Sequence, residues 1–141
     1  MISVCTFSGL HLKIFEPLYN YGNYKDKLLE AKGNDRIEML TIFNGHVPLA
    51  IVGVMRLAPG VGEIWAFMDK SMLKHRMKFH RAIKELLGKC KEVGYHRLHA
   101  TVVSDWVAGD KWIKRLGFKA VGMLEHYEKN GRNHTLYGRV L

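Results

Sequence analysis

The stretch "WVAGDKWIKRLGFKAVGMLEHYEKNGRNHTLYGRVL", residues 106–141, reads as a helix, a stop and a hairpin. "WVAGDKWIKRLG" is a short helix that closes at Gly117, because glycine accepts the left-handed backbone on which helices commonly end. "FKAVGMLEHYE" follows as a strand, "KNGR" as a glycine-containing turn, and "NHTLYGRVL" as a closing strand.

Working back from there, "HRLHATVV" (96–103) reads as another strand. Before it, Phe79, Ala82, Ile83, Leu86, Leu87, Cys90 and Val93 recur at spacings of three and four, the period of a helix with one buried face. Gly94 sits where that helix needs a cap. "EIWAFMD" (63–69) precedes it as a strand, and the path through the long helix to "HRLHATVV" is long enough to join parallel neighbours. The first half supplies an apolar start (Ile2 to Phe7) and two helix-like pieces, Leu10–Asn20 and Tyr24–Ala31. "RIEMLTIF", the turn "NGH", "VPLAIVGVMRL" and the turn "APGVG" then complete an antiparallel meander. The order is β-α-α-β-β-β-α-β-α-β-β. That is an α+β fold with a mixed, mostly antiparallel central sheet, expected as a single domain over residues 1–141.

At 141 residues, 48% apolar and 25% charged, the composition is ordinary for a globular domain. The chain has no apolar run of about 18 residues, the length a membrane span needs, and its first residues lack the pattern of a secretory signal. Cys5 and Cys90 have no CxxC spacing and read as reduced core thiols in a cytoplasmic protein. The eight histidines are scattered, and His96 and His99 point to opposite faces of a strand, so no metal is expected. Net charge is +9, and residues 70–91 hold eight Lys or Arg against the single acid Glu85, a net of +7. Such a concentration calls for an anionic ligand or partner, or else serves as a solvated face.

From Gly62 to Leu141 the chain resembles the GCN5-related N-acetyltransferase superfamily, and before that only by element order. The resemblance is carried by the strand "GEIWAFMD", the helix ending "KEVG", the strand "HRLHATVV" and the helix ending "LGF" with its strand, turn and strand. It looks closest to short acetyltransferase-like proteins of tailed bacteriophages, which would place it in a host cytoplasm. The resemblance implies acetyl-coenzyme A as co-substrate. Its pantetheine arm would lie between two splayed parallel strands, with Phe67 and Met68 on the first. Its pyrophosphate would rest on the start of the following helix, where free amides and the dipole favour anions. The family carries Gln/Arg and two small residues there; this chain has Lys74, Met77 and Phe79 at those positions, with His75, Arg76 and Lys78 among them. Charge would then partly replace backbone access.

By the same resemblance, Glu63 is the candidate base, reading equally as an exposed strand-end carboxylate. Asp105 stands beside Trp106, where the family often has Asn, and Ile113 occupies the position of the usual acidic Tyr. Three functions fit the sequence. The first is an acyl-coenzyme A–dependent N-acyltransferase acting on an amine of a protein, a small molecule or an aminoacyl-RNA. The second is the same fold kept as a binding, assembly or regulatory factor. The third is a nucleic-acid binder acting through the basic helix. A homodimer is compatible with each.

Overall fold

The antiparallel meander and the helical crossover that the sequence calls for set the plan of the computed structural model, which describes residues 1–19 and 21–141. Strand β1 (Ile2–Thr6) leads to a 3₁₀ turn (Gly9–Lys13) and helix α1 (Tyr24–Lys32). Strands β2 (Ile37–Asn44), β3 (Val47–Ala58) and β4 (Val61–Met68) follow, then a 3₁₀ turn (Lys70–Lys74) and helix α2 (Arg76–Glu92). Strand β5 (Arg97–Val103), helix α3 (Val107–Arg115) and strands β6 (Lys119–Leu124) and β7 (His134–Val140) complete the chain. Among the described residues the strands form one sheet in the order β1-β2-β3-β4-β5-β7-β6. Every neighbouring pair is antiparallel except β4 and β5, the two joined through α2.

Both long glycine stops behave as their backbone freedom predicts. After α2, Gly94 has φ 110°, its amide bonds Lys91 O at 3.1 Å, and the Tyr95 amide bonds Cys90 O at 3.0 Å. After α3, Gly117 has φ 89°, with its amide on Lys114 O and that of Phe118 on Ile113 O. Each is a paired closure of the last turn with an apolar residue following it. In "LGF" that apolar residue, Phe118, is 2% exposed in the core.

The sheet is covered on both faces. One carries α2 and α3 over a core that includes Val52, Phe79, Ile83, Leu87, Leu98 and Tyr137. The other carries the first 3₁₀ turn and α1 over Phe7, Phe15, Leu28, Met39 and Ile51, with Trp65 and Phe67 packed against them. Two expectations are corrected. The helix expected over Leu10–Asn20 is the short Ser8-capped turn Gly9–Lys13; Pro17, which lacks an N–H and disfavours helix before it, bridges Asp69 instead. Asn20 lies outside the described residues. Cys90 is a core thiol as expected, but Cys5 is exposed, because β1 is an edge strand facing largely outward.

Candidate active site

The parallel pairing of β4 with β5 covers only Val61–Arg97, Gly62–Leu98 and Glu63–His99. Beyond these pairs β4 continues to Met68 beside β3, while β5 continues to Val103 beside β7. The sheet therefore opens into a wedge. At its far end the Met68 amide donates to the Tyr21 hydroxyl at 3.1 Å, and the Met68 carbonyl accepts from the Leu18 amide at 2.8 Å. Strand residues alternate in the edge their backbone groups face, so Ala66 and Ile64 turn theirs into the same opening.

On the α2–α3 side of the wedge, Ile64, Ala66, Ala100, Val102 and Ile113 line a cavity of about 100 Å³. It shares Met68, Trp106 and Trp112 with a larger cavity of about 560 Å³ between the start of α2 and α3. Arg76, His80, Lys111 and Arg115 are the larger cavity's polar wall. Arg76 opens α2, whose first amide-to-carbonyl bond runs from Phe79 to His75 at 2.9 Å. The amides of Arg76, Met77 and Lys78 precede that bond and lack a helical acceptor. α3 is set against α2 by Trp112, which stacks on Phe79 at 5.5 Å and donates its indole N–H to His80 Nδ1 at 3.1 Å. With Nδ1 accepting, the neutral His80 ring carries its hydrogen on Nε2. Tyr19 closes the cavity edge-on to Trp106 at 5.0 Å, and burial raises its hydroxyl pKa.

The residues singled out from sequence divide between this cavity and other surroundings. Arg76, Met77 and Phe79 line it, with Met68 at its junction with the smaller one. Met77 is 69% exposed at the rim, and Phe79, 2% exposed, is a core residue rather than a phosphate contact. Lys74 ends the second 3₁₀ turn, Lys78 is exposed on α2, and His75 precedes the helix with its ring on Asn44 at 3.3 Å. Phe67 turns to the opposite face, edge-on to Tyr21 at 4.7 Å. Glu63 closes the paired part of the wedge, on that same face by strand alternation. Asp105 lies outside, paired with Arg132 at 3.2 Å. Lys111 and Arg115 escape a reading built on the start of α2. Their four-residue spacing on either side of Trp112 is the signal that one face of α3 is cationic.

The fold as a whole has counterparts among solved structures. The ribosomal-protein-S18-alanine N-acetyltransferase of Escherichia coli superposes with TM-score 0.81 at 13% identity, over 99% of this chain and 94% of that one. This is the acetyltransferase fold. A Bacillus subtilis acetyltransferase in complex with CoA gives TM-score 0.74 at 12% identity, over 99% and 97% of the two chains. A GNAT-family acetyltransferase of Streptococcus pneumoniae gives 0.72 at 15%, over the whole of both chains. No family model and no curated protein matches the sequence. Within the acetyltransferase fold, the wedge and the α2–α3 cavity are the candidate active site.

Proposed function

We propose that the protein is an acyl-coenzyme A–dependent N-acyltransferase, with acetyl-coenzyme A as the donor. The observation that carries this reading is the wedge after Glu63 and His99, opening beside a 560 Å³ cavity with cations on both its helices. The backbone groups of Ile64 and Ala66 would pair with the amide-bearing pantetheine arm. The start of α2 with Arg76, facing Lys111 and Arg115 of α3, would hold the phosphates. Supporting it, a neighbour of the same fold was solved with CoA. The donor brings an activated acyl group; the chain's part is to bind it, open the wedge to an amine and take up the amine's proton. Glu63 is the proposed base.

Calorimetric titration with acetyl-coenzyme A tests the reading. Hydrogen bonds to charged groups contribute about 1.5–3 kcal/mol. Arg76→Ala and Lys111→Ala/Arg115→Ala are therefore each expected to weaken binding on the order of tenfold or more, with melting temperatures near wild type. No binding at millimolar donor would sink it. The second reading, a fold kept for binding without turnover, is favoured by Ile113, buried where the resemblance puts the acidic Tyr. It predicts donor binding with no amine-dependent thiol release.

A further inference from the structure

The face of the wedge opposite the cavity carries a second cluster, gathered at the last pair of the seam. Glu63 and His99 are register partners there and point to the same side. Arg97, two residues before His99 on the same face, donates its Nε–H to His99 Nε2 at 2.9 Å. A guanidinium only donates, so that ring nitrogen is the acceptor and the imidazole hydrogen sits on Nδ1. Gly138, opposite His99 on β7, makes the room: a Cβ there would come within 2.4 Å of Arg97 Nη2. Thr101 is next along this face of β5, and the ring of Tyr127 nearby lies 4.8 Å from that of His134. Glu63 forms no ion pair among the described residues.

We propose that Arg97, His99 and Glu63 form a positioned proton-accepting unit for the acceptor amine, on the sheet face opposite the donor cavity. His99 is held as the neutral Nδ1–H tautomer by Arg97 and orients Glu63. This rests on the acyltransferase reading and adds to it a role for two residues that no motif marks. In the step they serve, the amine nitrogen's lone pair forms a bond to the thioester carbonyl carbon and the carbon–sulfur bond breaks. The amine's proton passes to Glu63 and then to solvent, and the thiolate leaves and is protonated from solvent. Glu63 is catalytic, while His99 and Arg97 are positioning residues. The titratable groups near the cluster are Tyr127, close enough to feel the charge of Glu63, and, one strand beyond Gly138, Lys119. Tyr127 holds its proton more tightly than a free tyrosine, first through burial and then through the charge of Glu63.

The first measurement is the ¹⁵N shift of the His99 ring nitrogens in the free protein. The expected result is an Nδ1–H tautomer that is lost in Arg97→Gln and in Gly138→Ala, which displaces the guanidinium. A ring that carries its hydrogen on Nε2 in wild type overturns the proposal. The second uses hydroxylamine as the amine probe, following thiol release from acetyl-coenzyme A. His99→Phe is expected to lower kcat at least tenfold with donor affinity unchanged. His99→Asn, whose amide falls near the Nδ1 position, recovers much of it. Equal kcat in wild type and His99→Phe overturns the proposal and leaves the donor reading intact; failure of acetyl-coenzyme A to bind the wild type removes both.

Discussion

Gly109 shows how a single residue is fixed by its neighbour rather than by its own preference. It lies in α3, where alanine would ordinarily favour the helix by about 1 kcal/mol. A Cβ at this position would fall 2.2 Å from the Trp106 ring, which lies flat over it. Forcing a core to accept added volume costs about 1–3 kcal/mol, so Gly109→Ala is expected to be destabilising despite the gain in propensity. Chemical denaturation of the variant against wild type would show it; an increase in stability would mean Trp106 swings free. Asp69 is fixed as firmly. Its carboxylate accepts from the Glu16 amide at 2.6 Å and the Ser71 amide at 2.9 Å, tying the segment after the first 3₁₀ turn to the end of β4. The Asp69–Glu16 link is not legible in sequence, because it joins residues 53 apart through tertiary contact. The surroundings of Arg97 and His99 were hidden for the same reason: a strand period gives a residue's face but not who stands across from it. The place of Glu63 on the strand before α2 was legible because that strand and the helix after it are local features.

At the scale of elements, α3 is latched to the sheet by the Tyr137 hydroxyl of β7, which donates to Asp110, itself paired with Lys114 at 3.1 Å. Burial, with the carboxylate second, pushes Tyr137 from 10.0 to about 12. The folded protein therefore holds a proton that the unfolded chain releases above pH 10.0. This contribution is complete below that pH and is lost as pH rises toward about 12. The hydrogen bond from Tyr137 and then the one from Lys114 lower the pKa of Asp110 below 3.8, so its contribution is present above that pH and lost on acidification. Melting temperature measured from pH 9 to 12 should fall more steeply in wild type than in Tyr137→Phe; parallel curves would show that the latch does not hold. The elements themselves were the most legible part of the chain. Helical spacing and the two glycine stops located α2 and α3, and alternation located the strands. The first helix failed at Pro17, where a local pattern continued past a residue that cannot propagate it.

Across the whole molecule, the wedge makes an order-sensitive device of an otherwise continuous sheet. Amides of Ile64 and Ala66 face the opening, so they are expected to exchange with solvent rapidly in the free protein and to be protected once acetyl-coenzyme A is added. Hydrogen exchange read at those two residues checks this, and rapid exchange in both states would contradict the donor's placement in the wedge. The overall charge has a related consequence for that experiment. With +7 of the +9 concentrated over residues 70–91, binding of a polyphosphate donor should weaken as salt is raised.

The seam between β4 and β5 also divides the chain in time. Strands β1 to β4 occupy residues 2–68, and β5, β6 and β7 occupy 97–140, so each half-sheet is a separate run of chain. During synthesis the first half is complete while the strand that borders it is still being made. A finished strand with a bare edge is a template for pairing with another chain. What leaves the ribosome next is the most cationic segment of the protein, which would keep neighbouring nascent copies apart by mutual repulsion until the second half arrives. The basic helix can thus protect the protein during its own birth, whatever it holds once folded.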